Sequence, residues 1–234
     1  MTDNYGKIGK MKVFLRPMTA EDIPQALGIE KEAFPTMKHS TPFRRDLNSS
    51  LASYLLVCVS RVPGIPQQRP HRNDYVSSDG YGFIPRLMRN IRKLFRALPS
   101  TEIQGVVVLG YVGLWFTGSE AHITSIAVRE SVRGMGFGDL LMIGSLELAL
   151  ERNCTVLTLE VRVSNDIAKA LYKKFGLIEV GKRRGYYVDN REDALIMSTQ
   201  PLNSAGLIER LDQLVKGYIR RRGEVSITVS ASAD

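Results

Sequence analysis

The sequence predicts an α/β protein: a three-layer sandwich around a mixed, mainly antiparallel sheet. Three observations predict it. From Gly105 onward, apolar β runs and helical runs follow one another in a regular order. A glycine-rich turn, Arg133–Gly138, joins one β run to an amphipathic helix. A further helix and a hairpin precede this block. The 234 residues are 44% hydrophobic and 24% charged, ordinary values for a chain with a real core, which excludes wholesale disorder, collagen and coiled coil.

Lys12–Arg16 reads as a strand. Thr19 and Asp22 form a capping box for the helix that follows, with a Met18–Ile23 staple and a bend expected near Pro24. A short helix is expected around Pro42–Asn48, and Tyr54–Val59 is a β run. Strands follow at Gly105–Trp115 and His122–Val128, then a helix at Gly138–Arg152 and a strand at Val156–Val163. A helix at Asn165–Phe175 and strands at Ile178–Arg184 and Asp193–Ser198 complete the sheet. Gly206–Arg222 predicts one more helix, with Leu207, Leu211, Val215 and Tyr218 on its apolar side. Glu224–Asp234 is expected to fray.

The formal charge of +8 and pI of about 9.6 are concentrated in one segment. Between Arg61 and Ser100 stand eight Arg and Lys against two acids, a local excess of +6. The first half of this insert is rich in Pro, Gly and polar residues. At about 83–98, Ile84, Leu87, Met88, Ile91, Leu94, Phe95 and Leu98 recur at helical spacing opposite five basic residues, predicting a basic amphipathic helix. Such a patch suits ribosomal RNA or another anionic surface, but names no activity. The longest nearly apolar stretch, Gly105–Phe116, falls short of the roughly 18 residues of a membrane span. No signal-peptide pattern opens the chain, and two cysteines give neither a disulfide framework nor a metal site. A cytoplasmic protein of uncertain oligomeric state is expected, with no metal.

Arg133-Gly134-Met135-Gly136-Phe137-Gly138 is the sharpest motif. Glycines let successive backbone N–H groups converge, and a helix start adds its positive end, so the turn suits a phosphate. An ordinary glycine-rich turn is the alternative. No Gly-Lys-Ser/Thr follows, which excludes a Walker A loop, and a dinucleotide fingerprint fits poorly. The Arg133-x-x-Gly136-x-Gly138 pattern resembles the pyrophosphate loop of the GCN5-related N-acetyltransferases (GNAT). Downstream, L-E-V-R-x-S-N, A-x-x-L-Y-x-x-x-G, R-R-x-Y-Y and E-D-A-x-I-M resemble the ribosomal-protein-alanine acetyltransferases within that superfamily. These motifs lie between Ile123 and Met197.

The resemblance implies a GNAT domain over about 11–202, with the basic insert at 61–100 inside it and a helical tail at 203–234. It implies acetyl-CoA as donor, held by Arg133, Gly134, Met135, Gly136, Phe137 and Gly138. The strand end Ile126, Ala127 and Val128 would lend backbone groups to the pantetheine arm. The implied acceptor is a protein N-terminus, foremost the N-terminal alanine of ribosomal protein S18. Other protein N-termini, polyamines or small amines are the runner-up, and an RNA- or membrane-binding module without catalysis a further alternative.

Acetyl transfer needs a neutral amine, a polarised carbonyl and a protonated leaving thiolate. Glu160, an acid among apolar strand neighbours, is either an outward carboxylate or, as the resemblance implies, the general base and a contact for the incoming amine. Tyr172 is by itself a core tyrosine; the resemblance makes it the acid for the CoA thiolate, with a phenol near its ordinary pKa. Asn165 suits a helix N-cap, but the resemblance favours a bond to pantetheine. Tyr187 is implied to line the peptide slot. His122, at a strand start, is either a substrate contact or, the preferred reading, a structural residue.

Overall fold

The computed structural model describes residues 12–36, 40–60, 106–222 and 225–229. The basic insert and its expected helix lie outside the described residues. The strands on either side of the undescribed segment pair, with Ser60 opposite Val106.

Among the described residues, eight strands form one sheet: β1 (Lys12–Pro17), β2 (Ala52–Ser60), β3 (Val106–Thr117), β4 (Glu120–Val128), β5 (Val156–Arg162), β6 (Ile178–Tyr187), β7 (Glu192–Ser198) and β8 (Ser226–Ile227). Their spatial order is β6-β7-β5-β4-β3-β2-β1-β8. Among the described residues only β4–β5 and β1–β8 pair in parallel. The mixed, mainly antiparallel sheet expected from the sequence is therefore present.

One face carries α1 (Ile23–Ala33) and α2 (Phe43–Asp46), and the other carries α3 (Phe137–Glu151), α4 (Asp166–Lys174) and α5 (Ala205–Arg222). The Thr19 capping box is made: the Thr19 N–H donates to Asp22 Oδ2 at 2.8 Å. No bend is needed at Pro24. A 3-10 turn over Ala20–Asp22 leads in, and Pro24 sits in the first turn of α1, where its missing N–H has no helical partner to lose.

The helix read as amphipathic, α3, is instead buried nearly all round, from Leu140 to Leu146 and again at Leu148 and Ala149. The sheet covers one side and α5 the other, burying Leu207, Leu211, Val215 and Tyr218 in the same core. A Cβ at Gly144 would lie 2.3 Å from Leu15 Cδ2, so glycine lets α3 settle onto β1. The frayed end is corrected as well. Val225, Ile227 and Val229 alternate inward with 4%, 7% and 8% exposure, and β8 pairs with Phe14 and Leu15 of β1.

Candidate active site

The site starts from a gap in the sheet. Strands β4 and β5 pair from Glu120↔Val156 to Ile123↔Leu159 and no further. Beyond that point β5 continues only against β7, and β4 only against β3. The cause is local. Gly113 faces Ser125 while Leu114 faces Ile123, so Thr124 is an extra residue that bends β4 away. The edge of β4 carrying Ile126, Ala127 and Val128 therefore has no strand partner on the β5 side.

At the end of β4 the glycine turn takes the conformation its sequence predicts. Gly134 and Gly136 have φ of +74° and +84°, and Gly136 stands at the start of α3 with no side chain capping the helix. The first N–H groups of α3 are thus available to an anion. Met135 packs against the core and Phe137 is buried within it, so these two offer backbone only. Arg133 turns back: its Nε donates to the Val128 carbonyl at 3.4 Å. A Cβ at Gly136 would lie 3.3 Å from Tyr218 and 3.4 Å from Arg222 Nε, which places the end of α5 against the loop.

The opposite side of the gap is built from side chains. Alternation along β5 sends Leu157, Leu159 and Val161 into the core under α3 and α4, and Thr158, Glu160 and Arg162 to the other face. The Glu160 side chain is 8% exposed and is held at 2.9 Å by His122 Nε2 and at 3.3 Å by Arg183 Nη2. His122 Nδ1 lies 2.8 Å from Thr158 Oγ1, and the Thr158 hydroxyl donates to Glu120. Glu120 is 47% exposed. A row of polar contacts therefore runs from a buried carboxylate to the surface.

Strand β6 extends past its expected end at Arg184 as far as Tyr187, with a register shift after Arg183 and the Gly185 N–H bonded to Asp193 Oδ1 at 2.8 Å. This brings Tyr187 under the Arg162 guanidinium, 3.9 Å above the ring, and edge-on to Tyr186 at 5.2 Å. Arg162 is fixed in turn by Asp189 at 2.8 Å and Glu192 at 3.1 Å. Thr36, just after α1, donates to Asp189 at 2.6 Å and ties the two loops together. Burial pushes the Tyr187 phenol up to about 12, against the pull of Arg162.

Tyr172 projects from α4 with 5% exposure. The unperturbed phenol expected there is corrected: burial, and then the neighbouring Tyr187, push it well above the ordinary tyrosine range. Asn165 does cap α4, accepting from the Ala168 N–H at 3.1 Å through Oδ1, so only its Nδ2 remains for another partner. Among the described residues no group of three metal-ligating side chains gathers, and no helix is long and apolar enough to cross a membrane.

Comparison with known proteins identifies the family. The sequence profile of the Acetyltransferase (GNAT) family matches residues 73–177. An uncharacterized N-acetyltransferase of Methanocaldococcus jannaschii is 37% identical over 107 residues, 45% of this chain and 67% of its own length. The chain belongs to the GNAT family. A candidate ribosomal protein bS18-alanine N-acetyltransferase of Bacillus subtilis is 49% identical over 88 residues, 38% of this chain and 58% of that protein. An N-alpha-acetyltransferase of Sulfurisphaera tokodaii is 45% identical over 80 residues, 34% of this chain and 47% of that protein. The chain thus spans about half the length of these two curated relatives. The GNAT fold is also seen in the crystal structure of the ribosomal-protein-S18-alanine N-acetyltransferase from Escherichia coli, with a TM-score of 0.56 and 22% identity over 83% of this chain and 96% of that one.

Of the residues gathered at this gap, the sequence points to Glu160, Tyr187 and the glycine loop, but not to His122 or Arg183 as partners of Glu160. Both reach Glu160 across strands. The parallel register sets His122 beside Thr158, one same-face step from Glu160, and that register is not written in local sequence. The only local signal was a polar His122 in an apolar β run.

Proposed function

We propose that the protein transfers acetyl from acetyl-CoA to the α-amine of a protein N-terminus, and that the N-terminal alanine of ribosomal protein S18 is its acceptor. One observation carries the reading: a buried carboxylate, Glu160, stands where β4 and β5 part, with the helix-start cradle of Gly134–Gly138 on the same gap. Side-chain-free turns at Gly134 and Gly136 fit a diphosphate, and the unpaired edge at Ile126–Val128 fits an extended amide-bearing arm. When bound, acetyl-CoA supplies a thioester carbonyl open to an amine.

The chain's own groups then divide the work. Glu160 accepts the amine proton, directly or through one water, and the row His122–Thr158–Glu120 gives that proton a route to solvent. Backbone N–H groups near Ala127 and Val128 face the developing oxyanion. The buried Tyr172 phenol keeps its proton at neutral pH and can give it to a departing thiolate. Asn165 retains its Nδ2 for the pantetheine arm. Tyr187, stiffened by Arg162, walls the slot for a small first residue.

The acceptor class rests on the resemblance to bS18-alanine and N-alpha-acetyltransferases and on the position of Glu160. A peptide panel tests it, with one member beginning Ala-Arg, one N-terminally acetylated, and polyamines alongside. Mass spectrometry should place the acetyl group on the free Ala amine and leave the blocked peptide untouched. Transfer to polyamines or lysine side chains alone would overturn the reading.

A further inference from the structure

The C-terminal helix brings a second set of cations to the glycine loop. A cavity of about 330 Å³ lies between them, walled by Gly134 and Gly136 on the loop, Lys174 at the end of α4, and Tyr218, Arg221 and Arg222 on α5. Neither Glu160 nor Tyr172 lines it, so it continues the cradle past the reacting groups. Asp139 also lines the cavity and holds Lys174 at 2.6 Å, so the free positive charge there comes from α5. Arg221 and Arg222 are exposed, and among the described residues neither has a carboxylate partner. Tyr218 is 3% exposed, and burial pushes its phenol up to about 12, so it stays a neutral donor beside the two guanidinium groups.

Two arginines without a carboxylate partner, lining the same cavity as a backbone anion cradle, favour a phosphate over a neutral ligand. The diphosphate of acetyl-CoA would be satisfied by loop N–H groups. The remaining phosphate, the 3′-phosphomonoester on the ribose, carries nearly two negative charges at neutral pH and needs partners of its own. We propose that Arg221 and Arg222, assisted by Lys174 and Tyr218, form the subsite for the 3′-phosphate of CoA. This rests on the reading of the loop as the diphosphate cradle. It gives α5, which lies outside the family match at 73–177, a direct part in donor binding.

The test is calorimetric titration of the full chain with CoA and with 3′-dephospho-CoA, in the parent and in the Arg221→Gln/Arg222→Gln variant. The parent should bind CoA at least about tenfold more tightly than the dephospho form. The variant should lose most of that preference while its affinity for dephospho-CoA stays within about twofold, and the parent's preference should shrink with added salt. An Arg221→Lys/Arg222→Lys variant should keep part of the preference, which separates charge from helix packing. A preference unchanged in the Gln variant, or an equal loss for both ligands, would overturn the subsite and leave the arginines as charges on a helix end that props the loop. A parent that binds dephospho-CoA as well as CoA would also overturn the subsite alone. Binding of neither ligand would overturn the acetyl-CoA reading with it.

Discussion

On the loop side of the gap, Gly134, Gly136 and the start of α3 offer backbone N–H groups, whereas on the amine side Glu160 is held by side chains from β4 and β6. The first side is defined by a few consecutive residues and the chirality of their turn. The second needs three strands in correct register before any of it exists. A backbone-built cradle tolerates most side-chain changes around it and fails when a Cβ enters. A side-chain network fails wherever one member is removed, because the others are left buried and unpaired.

The largest expected effect lies on the amine side. Glu160→Gln keeps the shape and removes the base, so the transfer rate at saturating substrates should fall by about 100-fold or more, with acetyl-CoA affinity unchanged by calorimetry. On the loop side, Gly136→Val adds a β-branched side chain at φ +84°, against Tyr218. The dissociation constant for acetyl-CoA should rise at least about tenfold, while the rate at saturation changes little. Equal effects on binding and rate in either variant would erase the distinction between the two sides.

His122→Ala sharpens it further. Glu160 would keep Arg183 but lose its bond at 2.9 Å and its row to the surface. The maximal rate should drop by about three- to tenfold, about 0.7–1.4 kcal/mol of barrier, with acetyl-CoA affinity unchanged. A rate equal to the parent's would remove His122 from the account.

These contrasts also explain what the sequence revealed. Hydrophobic periodicity located the strands and helices, because each needs only its own residues to declare a face. The glycine loop was legible for the same reason, its chemistry being carried by six consecutive positions. The gap between β4 and β5 was not, since it depends on Thr124 being one residue too many against Gly113 and Leu114. The burial of α3 on both sides was missed because its cover, α5, arrives more than fifty residues later. The inward alternation of Val225, Ile227 and Val229 is short and close to polar residues, so only the pairing with β1 exposes it as structure.

The smallest effect is a pH dependence at the hairpin that steadies Tyr187. Hydrogen bonds from Ser164 above all, and then from Arg162, hold the Glu192 carboxyl at about 2, below its ordinary 4.5. A depressed carboxyl stabilises the fold above its unfolded pKa and loses that contribution as pH falls through the folded one. The melting temperature of the parent should therefore exceed that of Glu192→Gln near neutral pH, and the difference should narrow as pH falls from 4.5 towards 2. A difference that grows in that range would contradict the assignment.

The separation of binding from chemistry is tested most directly by the kcat/KM for acetyl-CoA of the Gly136→Val/Glu160→Gln double variant, beside the two single variants. Independent sides predict multiplicative losses, about 1,000-fold for the pair, agreeing with the product of the singles to within about twofold. A double variant no worse than Glu160→Gln alone would contradict the account, since loop and carboxylate would then act as one coupled unit.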